Sequence, residues 1–425
     1  MKIIKFNITV LLLCFIQLSG VFSQLTDLSV DKAISIALEN NYGIIISNME
    51  QNQASINNSW GIAGRYPEVY FNARSLNQFD SLNNQLITDL GLTWTIFNGF
   101  KVVNTKNKLN ELEQLSNGQA AVIVENTIED VILGYFSIHL EKEKLEVLKK
   151  VYTLSEDRYN LEKRKQQLGS AVTYEVLQAK SSYLTDQSSY MTQEVIVKNT
   201  IRNFNFLLGI DSLIYWNFTD SISIDSSEYM LSDLKDKMLQ NNNTLKNQYI
   251  NLQLKSIDIK LQKSTLYPTL SVSAGYNNIL PYGFNNGLNI SSNTSNPYGN
   301  INLTYSIFNG NARKKAVQIA RINKDIAETE IKEYSHILTN QLLNLYDMYN
   351  IRKAIVKIAD ENLETAALNL TIAEQKYKTG TINSFNFRDI QLIYINTAIT
   401  RLQALYNFKE SHTLLIRITG GFVNE

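Results

Sequence analysis

The chain has 425 residues with 40 basic and 40 acidic side chains, so its formal charge is zero and it has no basic field with which to hold a nucleic acid. Apolar residues make up 44%, enough for a folded core, yet there are only four prolines and eighteen glycines, a composition that favours long uninterrupted helices. With one cysteine, Cys14, and three histidines, His139, His336 and His412, in no metal spacing such as H-E-x-x-H, neither a metal, a cofactor nor an enzymatic site is expected.

The first residues read as an export signal. Lys2 and Lys5 form a positive start, Ile8 to Leu18 is almost wholly apolar, and Val21-Phe22-Ser23 offers small residues for cleavage, so residues 1–23 are expected to be removed. The run is shorter than the roughly 20 residues of a spanning helix, and no later stretch is long and apolar enough to span as a helix. Cys14 lies inside this signal, with Leu13 where lipid attachment needs a small residue, so the mature chain is expected to hold no cysteine.

Beyond the signal the chain reads as a tandem repeat, 24–211 and 233–425, joined by 212–232. Leu38-Glu39-Asn40-Asn41 recurs as Leu239-Gln240-Asn241-Asn242 and Tyr66-Pro67 as Tyr267-Pro268, both 201 residues on. Ile96-Phe97-Asn98-Gly99 recurs as Ile307-Phe308-Asn309-Gly310, and Gly169 and Gly209 as Gly380 and Gly420, all 211 residues on. The extra length therefore falls between Tyr-Pro and Ile-Phe-Asn-Gly.

That interval predicts a β-hairpin in each half, because apolar and polar residues alternate with a period of two. The expected strands are Pro67 to Leu76, Asp89 to Phe97, Pro268 to Asn277 and Tyr298 to Phe308, with loops at Asn77 to Thr88 and Asn277 to Gly299. Val69, Phe71, Leu92, Trp94, Leu270, Val272, Leu303 and Tyr305 are the expected lipid-facing residues. Each strand has about the 9 to 11 residues that cross a bilayer when tilted. Four strands cannot close a barrel, and an open edge leaves backbone groups unpaired in lipid, so several copies must associate.

After each Asn-Gly the pattern turns helical. Asn311 to Thr379 holds neither glycine nor proline, and Phe100 to Leu168 holds only Gly118 and Gly134. Leu342, Tyr349, Val356, Leu363, Leu370 and Tyr377 recur every seven residues, with Ala359, Ala366 and Ala373 at a companion position. The first helix has Val131, Ile138, Leu145, Tyr152 and Tyr159 in the same spacing, broken at Gln166. A strict seven-residue repeat predicts coiled-coil packing. Gly169 and Gly380 are expected to end these helices, and second helices follow over Ser170 to Leu208 and Thr381 to Thr419.

Taken in order and in duplicate, these segments resemble the TolC-type outer-membrane efflux proteins, or outer membrane factors. The resemblance is carried by Ala33 to Asn41, the two Tyr-Pro pairs, the two Ile-Phe-Asn-Gly strand ends, and Lys376-Tyr377-Lys378-Thr379-Gly380-Thr381. It implies a mostly α protein with a membrane β-barrel: a homotrimer in which each chain gives four strands to one twelve-stranded barrel, continued into the periplasm by an α-barrel of coiled-coil helical hairpins. Shorter helices such as Asp31 to Ala63 and Ser170 to Leu208 would stack end to end beside the long ones, and the segment 212–232 would join a belt around the tunnel.

The function so implied is a passive conduit in the outer membrane of a Gram-negative bacterium, serving tripartite efflux or type I secretion. A periplasmic adaptor and an inner-membrane transporter would be its partners. Adaptor docking would fall at the helical tips, on Lys165, Gln166, Leu168, Gly169 and Ser170 and on Lys376, Tyr377, Thr379, Gly380 and Thr381. Gln166 departs from the pattern where the second tip has Tyr377. Glu374 is the expected tunnel constriction. An exported coiled-coil adaptor or scaffold is the rival reading, and the alternating strands count against it.

Overall fold

The computed structural model describes residues 26–77, 84–211, 213–222, 228–282, 284–285, 288–289 and 293–422. The expected signal, 1–23, and residues 212 and 223–227 of the linker lie outside them. In chain order the elements of the first repeat are β1 (Thr26–Leu28), α1 (Val30–Asn40), α2 (Tyr42–Asn57), β2 (Glu68–Leu76), β3 (Asn84–Asn98), α3 (Lys101–Gln167) and α4 (Thr173–Leu207), followed by β4 (Trp216–Phe218) in the linker. Then come α5 (Leu231–Asn241), α6 (Asn243–Ser264), β5 (Thr269–Tyr282), β6 (Phe284–Asn285), β7 (Leu288–Asn289), β8 (Thr294–Thr304), α7 (Ala312–Lys378) and α8 (Ser384–Ile418). The long helices α3 and α7 have 67 residues each, and the helices that follow them 35 each, matching the glycine- and proline-poor stretches.

Two expectations are corrected. The opening helix, expected over Asp31 to Ala63, breaks at Asn41 and ends at Asn57. Asn41 has an extended ψ of 126°, and its repeat partner Asn242 shows why the chain breaks there. The Asn242 side chain accepts from Leu245 N–H at 2.9 Å, starting α6, and donates to the Ile418 carbonyl at 3.1 Å, satisfying the end of α8. Asn41 likewise donates to the Leu207 carbonyl at the end of α4, at 2.8 Å.

The strands are also longer at the hairpin ends than alternation predicts. β3 starts at Asn84 and β5 runs to Tyr282, because residues 84–89 and 277–282, where the apolar alternation fades, still pair backbone to backbone. By contrast β8 stops at Thr304, which pairs with Thr269 beside Pro268, a residue with no N–H to extend a ladder.

Compaction does not follow the repeat boundary. One unit gathers Met1–Asn41, Ile128–Ser226 and Asn350–Thr413, the other Tyr42–Thr127, Ser227–Tyr349 and Leu414–Glu425, so each draws on both repeats.

In the first unit β1 and β4 form a parallel pair over a core of Leu28, Ala33, Val131, Tyr135, Ile138, Phe204 and Leu208. Tyr135 is fully buried and is satisfied at both ends of its hydroxyl: it donates to the Leu28 carbonyl at 2.8 Å and accepts from Asp220 N–H at 3.0 Å. Gly134 leaves room for the Phe204 ring, 3.0 Å from where a Cβ would stand. A second core, toward the hairpin tips, contains Val151, Leu370, Ala373, Tyr377, Phe387 and Tyr394.

The second unit holds the four-stranded antiparallel sheet β2-β3-β5-β8 and the helical segments around it. Gly118 explains itself here: a Cβ would lie 1.9 Å from Asn247 Oδ1, so its absence lets α6 approach α3. Lys108 and Asp258 pair at 2.7 Å between the same helices. Among the described residues no helix is long and apolar enough to cross a membrane.

Candidate functional site

The first helical tip is built on Gly169, whose φ of +76° lets Ser170 N–H reach back to the Lys165 carbonyl at 2.9 Å. The second repeats the turn on Gly380, with φ +76° and Thr381 N–H donating to the Lys376 carbonyl at 2.8 Å. Leu168 is 83% exposed, Lys376 and Thr379 are exposed, and the hydroxyls of Thr379 and Thr381 lie 3.0 Å apart. Gln166 donates to the Thr173 hydroxyl at 3.0 Å and so braces its own tip.

Lys165 of the first tip and Tyr377 of the second meet through Glu162. The Tyr377 hydroxyl donates to Glu162 at 2.6 Å, and Lys165 pairs with the same carboxylate at 3.0 Å while lying 4.8 Å over the Tyr377 ring. Phe387 stacks nearly parallel to the same ring, with centroids 4.7 Å apart. Burial, reinforced by Glu162, holds the Tyr377 hydroxyl above its ordinary range, so it remains a donor at neutral pH.

Close by, Arg388 grips Asp186 through two bonds of 2.6 and 2.8 Å, and the Ser155 hydroxyl donates to the same carboxylate. Arg158, almost fully buried, donates to the Ser384 carbonyl at 3.2 Å. Desolvation, and then the neighbouring charge of Arg388, lower its pKa to about 10, which leaves it charged at neutral pH. Breaking one partner out of such a buried set costs about 3–5 kcal/mol, so this end of the hairpins is held in one arrangement. Glu374 pairs with Lys378 one turn on, at 2.7 Å, and borders a cavity of about 190 Å³ together with Arg158 and Tyr377.

Of this network Lys165, Tyr377 and Glu374 are picked out from sequence, and Glu162, Arg158, Ser155, Asp186 and Arg388 are missed. Glu162, Arg158 and Ser155 lie off the seven-residue ladder of α3. Their signal was the 4-3-4 spacing that continues from the buried Val151.

The sheet presents two unlike faces. Cross-strand pairing puts Val69, Leu92 and Ala274 in one row, Phe71, Leu90 and Tyr276 in another, then Trp94, Val272 and Ile301, and beyond a bulge Phe97, Leu270 and Leu303. Seven of the eight expected lipid-facing residues thus share one face. Tyr305 follows the end of β8 and belongs to no strand. Val69, Phe71, Ile301 and Leu303 are 67, 66, 79 and 66% exposed, an apolar surface that water does not favour.

At the helix-side end of the sheet Phe97, Phe100 and Tyr267 make a chain of edge-to-face rings, and the Trp94 indole donates to the Arg65 carbonyl at 2.9 Å. The opposite face carries polar rows, Glu68, Thr93, Ser273 and Asn300 in one and Asn72, Asp89, Asn277 and Asn296 in another, with Ile87 and Ile279 paired beyond them toward the hairpin ends. β2 and β8 are the two edges of this sheet.

Comparison with known proteins agrees with this geometry. Residues 234–421 match the family model described as outer membrane efflux protein. The probable efflux pump outer membrane protein TtgC of Pseudomonas putida is 19% identical over 269 residues, which span 62% of this chain and about half, 54%, of that relative. Among solved structures, the CmeC outer membrane channel of Campylobacter jejuni superposes with a TM-score of 0.73 at 18% identity, covering 92% of this chain and 85% of that one. The open state of the MtrE outer membrane channel of Neisseria gonorrhoeae does so with a TM-score of 0.73 at 14% identity, covering 95% and 91%. The resemblance read from the repeated motifs is borne out, and the fold is that of the outer-membrane channels.

Proposed function

We infer that this chain, which carries the outer membrane efflux protein domain on the fold of the outer-membrane channels, is a channel subunit in the outer membrane of a Gram-negative bacterium. The observation that carries the reading is the four-stranded sheet, apolar and exposed on one face, polar on the other, and open at β2 and β8. In lipid the apolar face is favourable, each large side chain gaining about 1.5–3 kcal/mol on leaving water. Two open edges are not tolerable there, because every unpaired backbone group costs several kcal/mol. Copies of the chain remove both edges by pairing β8 of one with β2 of the next. Three copies give the twelve strands of a closed barrel. The ring chain Phe97, Phe100 and Tyr267 and the indole of Trp94 suit an aromatic girdle at one membrane boundary.

The polar face then lines a passage, and the helical hairpins continue it into the periplasm. Their exposed tips, Leu168 to Ser170 and Thr379 to Thr381, are the surface offered to a periplasmic adaptor, which links the conduit to an inner-membrane transporter for efflux or type I secretion. Transport through the chain is passive. A coiled-coil adaptor of its own would have no use for a sheet with an exposed apolar face. Glu374, which borders the cavity near the tips, is the proposed constriction, with its charge partly offset by Lys378.

Reconstitution into planar bilayers tests both points. Stepwise ion conductance is expected, blocked by multivalent cations, with the block lost in Glu374→Gln. Absence of any conductance from a correctly assembled protein overturns the channel, and block that survives Glu374→Gln removes the role of that residue.

A further inference from the structure

On the polar face of the sheet one row stands apart from its Asn, Ser and Thr neighbours: Tyr70, Gly91, Gly275 and Tyr298 lie side by side across β2, β3, β5 and β8. The two phenols do not stand up from the sheet. A Cβ on Gly91 would be 2.5 Å from Cζ and Oη of Tyr70 and 2.9 Å from the Tyr298 hydroxyl, and a Cβ on Gly275 would be 2.6 Å from that same hydroxyl. Both rings therefore lie down over the glycine backbone, their hydroxyls 3.4 Å apart, each half-buried with one side open.

Asp89, in the next row, holds them there: it accepts from the Tyr298 hydroxyl at 3.1 and 3.3 Å through its two oxygens. A carboxylate has about four acceptor positions, and among the described residues the Tyr298 hydroxyl is the one donor it meets. Beside it, Asn277 Oδ1 is a buried acceptor with no donor among the described residues. Among the described residues Asp89 makes no ion pair, although Arg74 stands in the row beyond it on the same face, so the carboxylate keeps unused acceptor capacity.

We propose that the Tyr70–Gly91–Gly275–Tyr298 row with Asp89 is a binding platform for a ring-bearing organic cation. The flat phenol faces supply stacking surface and quadrupole attraction for a cation, and the Asp89 carboxylate supplies negative charge and acceptors for its N–H groups. The glycines are specific to this arrangement, since any side chain there would lift the rings off the sheet. The idea rests on the channel reading in one respect, that this face is a passage through which such molecules travel.

The test is fluorescence anisotropy of ethidium, a planar aromatic cation, on the purified full-length chain in detergent, with fluorescein as a planar anion of comparable size. Saturable ethidium binding is expected, weakened about fivefold by Asp89→Asn and by the pair Tyr70→Leu with Tyr298→Leu, with fluorescein binding far more weakly. Asp89→Asn is nearly isosteric and retains an acceptor for Tyr298, so it separates charge from folding. Ethidium affinity unchanged in both variants, or fluorescein bound as tightly as ethidium, overturns the platform. Ion conductance of the same preparation decides the channel reading separately.

Discussion

Glu125 shows what a single buried charge does to this protein. It is almost fully buried, accepts from the Asn243 amide at 2.9 Å, and has Arg417 and Lys246 nearby. Burial outweighs those attractions and raises its carboxyl above the ordinary value of 4.5. A raised value means that the folded state holds the proton more tightly than the unfolded chain. The resulting stabilisation is full below 4.5 and is lost as pH rises through the folded value. Glu125→Gln keeps the carbonyl acceptor and removes the buried charge. It should melt higher than the parent at neutral pH, with the difference vanishing on acidification below 4.5, and a lower melting point at neutral pH would refute the assignment. Nothing in the sequence marked Glu125, because its burial depends on α6, which approaches only in the folded chain. Tyr377 was legible from its seven-residue ladder. Its partner Glu162 was not, being 215 residues away in a register that pattern alone cannot supply.

At the scale of elements, glycines that look alike in sequence do different things. Gly169 and Gly209 both have positive φ, but a Cβ on Gly169 meets nothing within 4 Å, whereas on Gly209 it would lie 2.1 Å from the Asn40 carbonyl oxygen. Gly169→Ala should cost only the left-handed penalty of about 1–2 kcal/mol. Gly209→Ala must displace the backbone at the break between α1 and α2, so its loss of thermal stability should be clearly larger. Equal melting points would show that this close approach is not rigid. Because the tips are open, a substitution there reads function: Leu168→Glu should leave melting unchanged and abolish export if the tips dock a partner, and undiminished export would sink docking at that tip.

The long helices were legible to within one residue at each end, since Gly99, Gly169, Gly310 and Gly380 bound them. The break at Asn41 was not. Asn-Asn was visible as a repeat marker, but helical periodicity continues through it, and the boundary is made by contacts such as its bond to the Leu207 carbonyl, which lies far away in sequence. The strand ends were missed for a related reason. Residues such as Asn277 and Asn278 pair through their backbone, which apolar alternation does not report.

At the scale of the whole molecule, a chain read as two tandem repeats compacts into two units that each take pieces of both. The repeat was legible because it is linear in sequence. The units were not, because α3 and α7 each supply residues to both. The sheet is where the molecule is incomplete by itself, with an exposed apolar face and the edges β2 and β8. All neighbours in it are antiparallel, so β2 of one copy and β8 of the next would also meet antiparallel, as closure of an even-stranded barrel requires.

This junction can be probed directly, since the one native cysteine, Cys14, falls in the expected signal. The measurement is oxidative crosslinking in outer-membrane fractions of chains carrying a cysteine at Val69 or Phe71 on β2 and another at Ile301 or Leu303 on β8. At least one pair should give a covalent trimer that survives boiling on a non-reducing gel, while either cysteine alone does not. Crosslinks confined to a single chain, covalent dimers as the end product, or no crosslink from any pair would contradict a barrel shared by three copies.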